Sequence, residues 1–563
     1  MLDQADDLRR KPPPDPSPQA REGRLGAPRL DFQEHLADLE AAGLVERVDT
    51  PINKDTELHP LVRWQFLGGV PEDKRRAFVF TNVVDAKGRR YDIPVVVGAL
   101  AASPQIYAIG MGRTVAEIGA AWLDAIAHPI APVRVAAAPC QEMVLTGNEL
   151  KAPGGLAALP VPVSTPGFDS APYLTATLCV TRDPETGVAN MGTYRAALKA
   201  ADRLVVRMVA REATGAGGYL HWRKYRERNE PMPIAIVIGA APVVMFTGPQ
   251  KLAIDLDELG VAGALAGEPI RIVKCKTVDL HVPADAEIVI EGLIDPQKLE
   301  PEAPFGESNG YVALEAFNMP MQVTAITRKT KPVFCSIISQ VTPSESSVIK
   351  KVAYEPLFLS HLRDTLSIKG VRRVTMHERL TNLRPVIFLQ VAYGTPHTEV
   401  WRALHGAATL MSKCGKIVVA VSDDVDPASV DAVLWSLAYR SNPIEDVQLV
   451  AQRGGVQGAQ YGPEGETDSS VLIDATRKRP MPPLALPSRE HMEHARALWE
   501  RLGLHPLTVT SPWHGYQLGD WIERWETFAR RATAGDWEIT GRETLARQRD
   551  DMMPEASVRV AEK

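Results

Sequence analysis

The stretch Pro301-Glu302-Ala303-Pro304-Phe305-Gly306-Glu307 carries two carboxylates five residues apart, with a proline and a glycine between them. Pro304 and Gly306 exclude a shared helix face, because each disrupts a helix interior. A straight strand fails as well, since residues five apart point to opposite faces. A type I turn over Ala303 to Gly306, with Pro304 second and Gly306 fourth, folds the segment back and predicts that Glu302 and Glu307 share one space. Two such carboxylates do not easily ionise together, which suits the pair to holding and delivering a proton. The plain alternative is an exposed loop in which neither acts.

Two further groups have chemical potential. Asn190-Met191-Gly192-Thr193-Tyr194-Arg195 follows the hairpin turn expected at Asp183-Pro184-Glu185-Thr186-Gly187. Asn offers a neutral hard oxygen for Mg²⁺ or Mn²⁺, and Arg a planar fork that fits a carboxylate bidentately. Taken alone, such strand-end residues are structural. Glu258 stands before the apolar, glycine-spaced run Leu259-Gly260-Val261-Ala262-Gly263. A carboxylate buried there needs a cation, a metal or dense hydrogen bonding; in isolation, a capping Glu is the simpler reading.

Other motifs fall away. Gly215-Ala216-Gly217-Gly218 lacks the dinucleotide-binding pattern and does not follow a strand. His491 and His494 lack the HExxH order and read as a solvated helix face, no cysteine pair has zinc spacing, and Ser344 with Glu345 reads as a helix cap.

The elements that position these residues form a mixed α/β (α+β) chain. Residues 1–29, rich in proline and charge, read as a disordered arm and not as a signal peptide. Residues 30–135 read as an N-terminal α/β domain, with a helix over Leu30 to Val48 and another over Thr114 to Ala127. Strand-like runs then dominate residues 136–335, predicting a mostly antiparallel sheet or split barrel, interrupted by one helix from Lys199 to Ala213. Residues 336–485 alternate helix and strand as in a parallel sheet, with a glycine-rich loop from Arg453 to Asp468. Residues 486–563 read as a helical tail rich in Trp and Arg. The net charge of −6 argues against a nucleic-acid binder, no apolar run is long enough to span a membrane, and five scattered cysteines read as buried thiols of a cytoplasmic protein.

Taken together, the three chemical motifs resemble those of the UbiD-like decarboxylases, aromatic acid branch, which use prenylated flavin mononucleotide. The likeness runs from about Leu30 to Ala546, with further landmarks at Pro283–Gly292, Thr342-Pro343-Ser344-Glu345, Ser422-Asp423-Asp424-Val425-Asp426-Pro427 and Leu472–Lys478. It implies a central flavin-binding split barrel in which Asn190 and Glu258 hold a divalent metal, Mn²⁺ or Mg²⁺, at the flavin phosphate, with K⁺ as a further candidate ion. It implies cofactor contacts at Thr193, Tyr194 and Arg195, a second set at Arg207, Met208 and Val209, and Lys416 as a phosphate contact. Arg195, Glu302 and Glu307 match the family's reacting centre. One departure concerns the metal: many relatives carry a His in the segment matching Arg211–Gly218, which in some completes the metal site, and this chain has none there, so Glu212, His221 or no side chain is the third ligand.

The resemblance implies reversible, non-oxidative decarboxylation of an aromatic (hydroxybenzoate-like or heteroaromatic) or α,β-unsaturated acid. A flavin prenyltransferase would supply the cofactor. Alternatives within the family are a carboxylase, a flavin-binding subunit of a larger complex, or a decarboxylase of an aromatic acyl-CoA bearing a free carboxylate. The Trp-rich tail is expected to mediate a homo-oligomer, dimer or hexamer.

Overall fold

Met232–Ile238 and Ile288–Ile294 are nearly unbroken apolar runs, and each is buried on both faces. Strands of that kind belong at the centre of a sheet covered on both sides. In the computed structural model, which describes residues 27–208, 216–250, 252, 256–302, 304–411, 414–454, 467–515, 519–545 and 547–548, they do so. The ten-stranded sheet runs Ala189–Gly192, Leu178–Arg182, Met232–Ile238, Ile288–Ile294, Ala316–Arg328, Arg203–Val206, Ala196–Ala200, Tyr173–Leu174. Met143–Thr146 and Glu300–Glu302 add to the 13-residue strand Ala316–Arg328. Every pairing is antiparallel.

This sheet must curl. Thr193–Arg195 joins Ala189–Gly192, at one end of the order, to Ala196–Ala200, near the other. A three-residue connection spans about 14 Å at most, whereas six strand spacings across a flat sheet come to about 29 Å. Closing that gap brings the two ends together and places Asn190 and Arg195 within one short crossing. The expected mixed α/β fold with a mostly antiparallel centre is the one observed.

The helix expected from Lys199 to Ala213 is a misreading over residues 199–208; residues 209–213 lie outside the described residues. Ala196–Ala200 and Arg203–Val206 form a hairpin instead, and Arg203–Val206 pairs with Gln322 to Met319 of the long strand. Leu204-Val205-Val206 is strand-forming, and the Ala201-Asp202 turn is held by Val323 N on Asp202 O at 2.8 Å. Tertiary pairing overrode an alanine- and arginine-rich local preference.

The chain divides into two units, Met1–Ala353 and Tyr354–Lys563. In the first, Val45–Val48, Ala77–Phe80, Val95–Val97 and Phe334–Ser336 make a four-stranded sheet. Its last strand comes from beyond the central sheet, so residue 335 falls inside an element of the N-terminal layer. The first helix is Phe32–Ala41, N-capped by Asp31, and the expected helix from Thr114 begins at Ile118. The arm expected over residues 1–29 lies outside the described residues except for its last three, where Arg29 pairs with Asp38 at 2.6 Å. Lys329 ties the first helix to the central sheet by bridging Asp31 and the fully buried Glu287, 2.7 Å from the latter. Glu345, also fully buried, accepts the N–H groups of Leu100, Gly98 and Ala101 at 3.0, 3.0 and 3.2 Å. Burial pushes its carboxyl up to about 7 despite those bonds.

The second unit holds a five-stranded sheet in the order Val371–Met376, Val386–Val391, Ile417–Ser422, Thr467–Ala475, Val447–Gly454. Its middle three strands are parallel and the outer two antiparallel to their neighbours. The loop expected from Arg453 to Asp468 narrows accordingly, since both ends are strand and 455–466 lie outside the described residues. Tail helices follow at Arg489–Arg501, Glu523–Ala534 and Trp537–Leu545, none with a buried residue. His491 and His494 lie on the first of these. All five cysteines are free and buried. Among the described residues no helix is long and apolar enough to cross a membrane.

Candidate active site

Arg195 leaves the crossing Thr193–Arg195 with its carbonyl secured, because Arg207 N donates to it at 3.0 Å. Its guanidinium meets Glu302 as a fork: Nε donates to Oε1 at 2.7 Å and Nη2 to Oε2 at 3.0 Å. Nη1 donates to Glu307 Oε1. Thus the two carboxylates do share one space, with a cation between them. Glu302 is fully buried and accepts a third bond from Asn318 Nδ2 at 3.4 Å. Burial works against the Arg195 charge, but hydrogen bonding to Glu302 and the charges of Glu307 and Glu302 outweigh it and raise its pKa. Arg207 approaches the same pair, 3.8 Å from Glu302 Oε2 and 3.8 Å from Glu307 Oε1. Two arginines and two glutamates therefore form one nearly neutral network, with Arg207 the more exposed of the two cations.

The elements explain this convergence. Glu302 ends the short strand Glu300–Glu302 opposite Ala316, while Phe305–Gly306 pairs with Val312–Ala313. The expected turn starts at Ala303, which lies outside the described residues. Phe305 packs its ring 4.4 Å from the Arg195 guanidinium and 4.4 Å from the Tyr173 ring. An aromatic face under a desolvated guanidinium stabilises its charge without competing for its N–H groups.

Glu258 approaches the strand of Asn190 through its neighbour Met191. Glu258 opens the helix Glu258–Ala266, and its Oε2 accepts Met191 N at 3.1 Å. Asn190 Nδ2 donates to Tyr194 Oη at 3.2 Å, which also accepts Gly218 N at 3.3 Å. Burial pushes the Tyr194 phenol up to about 12, so it stays a neutral hydrogen-bonding group. Gly217 lies so close that a Cβ there would sit 1.9 Å from Asn190 Oδ1. Burial pushes Glu258 up to about 7. Among the described residues no cationic side chain contacts it. A half-buried carboxylate without a counter-charge, beside a neutral amide oxygen, is a donor set that fits a hard divalent cation.

Of the third-ligand candidates, Glu212 lies outside the described residues. His221 sits on the helix Gly217–Arg228, its Nδ1 2.9 Å from Thr181 Oγ1, and Thr181 is the cross-strand partner of Asn190. Burial holds its imidazole down to about 4, hence neutral. Thr193 donates its N–H to Gly248 O at 3.3 Å, and Met208 is buried against Gly218. Val209 lies outside the described residues. Lys416 belongs to the second unit, where its Nζ binds Asp468 at 2.9 Å.

Sequence reasoning missed Asn318, the packing role of Phe305 and the charge partners of Arg207. It also missed Asp169, whose Oδ1 accepts Gly306 N at 2.8 Å. The turn-forming Pro166-Gly167 before Asp169 was the available signal; Asn318 and Arg207 had none, since only tertiary pairing brings them in.

Residues 132–341 match the model of the 3-octaprenyl-4-hydroxybenzoate carboxy-lyase Rift-related domain, and residues 347–475 that of the C-terminal domain. Among solved structures, the UbiD-class enzyme HmfF from Pelotomaculum thermopropionicum, in complex with FMN, is 28% identical, with a TM-score of 0.70 over 86% of this chain and 98% of that one. Vanillic acid decarboxylase from Sedimentibacter hydroxybenzoicus is 25% identical, with a TM-score of 0.69 over 84% and 99%. The 3,4-dihydroxybenzoic acid decarboxylase of Enterobacter cloacae, 22% identical with a TM-score of 0.68 over 86% and 98%, shares the fold. Fold and matched domains together define a carboxy-lyase. The chain belongs to the UbiD family.

Proposed function

We propose that the protein catalyses the reversible, non-oxidative decarboxylation of an aromatic or α,β-unsaturated carboxylic acid, with prenylated FMN as cofactor. The observation that carries this reading is the buried Arg195 held bidentately by Glu302, with Glu307 on its remaining terminal nitrogen. Losing CO₂ from an sp² carbon leaves an electron pair that no side chain can hold, and the cofactor supplies the sink. Arg195 orients the substrate carboxylate, which exchanges with Glu307 for the outer edge of the fork. Glu302 keeps Arg195 in place and charged. Displaced from the guanidinium and protonated from solvent, Glu307 passes that proton to the carbon that carried the carboxylate, and the same groups serve carboxylation in reverse.

Asn190 and Glu258 would hold the divalent ion, Mn²⁺ by preference, that neutralises the flavin phosphate. Thr193, Tyr194, Arg207, Met208 and Val209 would line the cofactor, with Lys416 as a further phosphate contact. The similarity to vanillic acid decarboxylase supports an aromatic acid, and a flavin prenyltransferase would supply the cofactor. We place the enzyme in the cytoplasm as a homo-oligomer. The test is a panel of aromatic and unsaturated acids assayed with protein made with and without a coexpressed flavin prenyltransferase. CO₂ release and a flavin-like absorbance are expected only with coexpression; equal turnover from both preparations overturns the proposal.

A further inference from the structure

Glu307 follows a glycine, the residue with the widest backbone freedom, so something must fix the peptide that precedes it. Gly306 is held tightly. Its N–H donates to Asp169 Oδ1 at 2.8 Å, and a Cβ on it would lie 2.1 Å from Thr165 Oγ1. The other Asp169 oxygen accepts Thr165 N at 2.7 Å, so one half-buried carboxylate bridges the start of its own loop and the hairpin. Ser170 N donates to Pro304 O at 3.0 Å, and Phe168 N and Asp169 N both donate to Thr165 O. Gln340 Nε2 braces the loop by donating to Thr165 Oγ1 at 3.0 Å. Past Glu307 the backbone is held again, by Glu307 N on Tyr311 O at 3.0 Å and Gly310 N on Glu307 O at 3.1 Å. Released at Gly306, the segment would pivot on that second clamp and carry Phe305 and Glu307 with it.

We propose that Asp169 is a positioning residue for the reaction: by bridging Gly306 and Thr165 it holds Phe305 beneath Arg195 and sets Glu307 against that guanidinium. The inference rests on the reading of Glu307 as proton donor. Asp169 itself exchanges no proton with substrate and acts only through the backbone. Asp169→Asn keeps one acceptor but turns an amide group toward an N–H at the other position. Asp169→Ala loses both bonds.

The experiment uses the full chain made with a flavin prenyltransferase. It compares kcat, KM, flavin absorbance and amide hydrogen exchange over residues 304–311. Misplacing a catalytic group by about 1 Å costs on the order of 10²-fold, so kcat should fall about a hundredfold in Asp169→Ala and about tenfold in Asp169→Asn. KM and flavin content should stay at wild-type values, while exchange at Gly306 and Glu307 quickens in the same order. Wild-type kcat and exchange in Asp169→Ala overturn the proposal. So does a loss of flavin and a rise in KM that match the loss in kcat, since that pattern marks a general structural role. If Asp169→Ala does not fold, Asp169→Asn decides by the same readouts. Should the wild-type chain turn over no acid, the decarboxylase reading fails, and hydrogen exchange alone decides whether Asp169 holds the hairpin.

Discussion

Under the proposed reading three carboxylates have different roles, and their contacts predict different failures when altered. Glu307→Gln still hydrogen-bonds to Arg195 but has no proton to give at neutral pH. General acid–base steps contribute on the order of 10²–10⁴ in rate, and a kcat loss of that size is expected, with deuterium incorporation from heavy water into product falling in proportion. Near-wild-type turnover at matched flavin content would move the acid elsewhere. Glu302→Gln disturbs the fork under Arg195, so KM should rise as kcat falls. Glu258→Gln keeps the size and removes the charge; bound Mn²⁺ and flavin content should both drop, and unchanged Mn²⁺ by metal analysis would dismiss Glu258 as a ligand. At this scale the sequence was most legible where a glycine, a proline and two carboxylates stood together. It was silent on Asn318 and on the carboxylate partners of Arg207, because a contact made across paired strands leaves no local pattern. The glycines around Asn190 and Gly306 were visible as letters only; their reason, the lack of room for a Cβ, is a tertiary fact.

Elements were read well where periodicity and burial agree and poorly where pairing decides. The apolar runs Met232–Ile238 and Ile288–Ile294 are strands because they are buried on both faces, and the run itself says so. The hairpin Ala196–Val206 looked helical because its partner, Met319 to Gln322, lies more than a hundred residues away. Ser344 does cap its helix, receiving Ser347 N at 3.3 Å, but Glu345 beside it turns inward to three backbone N–H groups. Burial raises that carboxyl to about 7, above its unfolded value. A raised carboxyl favours the folded state at low pH and loses that benefit as pH climbs toward 7. Glu345→Gln should therefore flatten the fall in stability between about pH 4.5 and pH 7, by on the order of 3 kcal/mol. Denaturant titrations showing parallel slopes for mutant and wild type would count against this.

On the scale of the whole molecule, composition and patterning established a mixed α/β chain with a helical tail, while the ownership of strands had to come from topology. The tail helices bury nothing, and Trp499 and Trp537 on them and Trp521 just before the second are substantially exposed. Aromatic side chains in that state are typical anchors of subunit contacts, so deletion from Glu490 onward should lower the mass seen by light scattering; an unchanged assembly would refute the tail's role. The strand Phe334–Ser336 has a consequence for how the chain is made. It completes the sheet begun by Val45–Val48, Ala77–Phe80 and Val95–Val97, pairing directly with the last of these. A ribosome adding roughly 5–20 residues per second needs roughly ten to fifty seconds to travel from one partner to the other. Throughout that interval the Val95–Val97 edge, three valines wide, stands open to any passing strand. Nascent chains are thus at greatest risk of mispairing while the central sheet is still being synthesised, and a ribosome stalled between residues 97 and 334 releases a fragment whose first sheet has no closing strand.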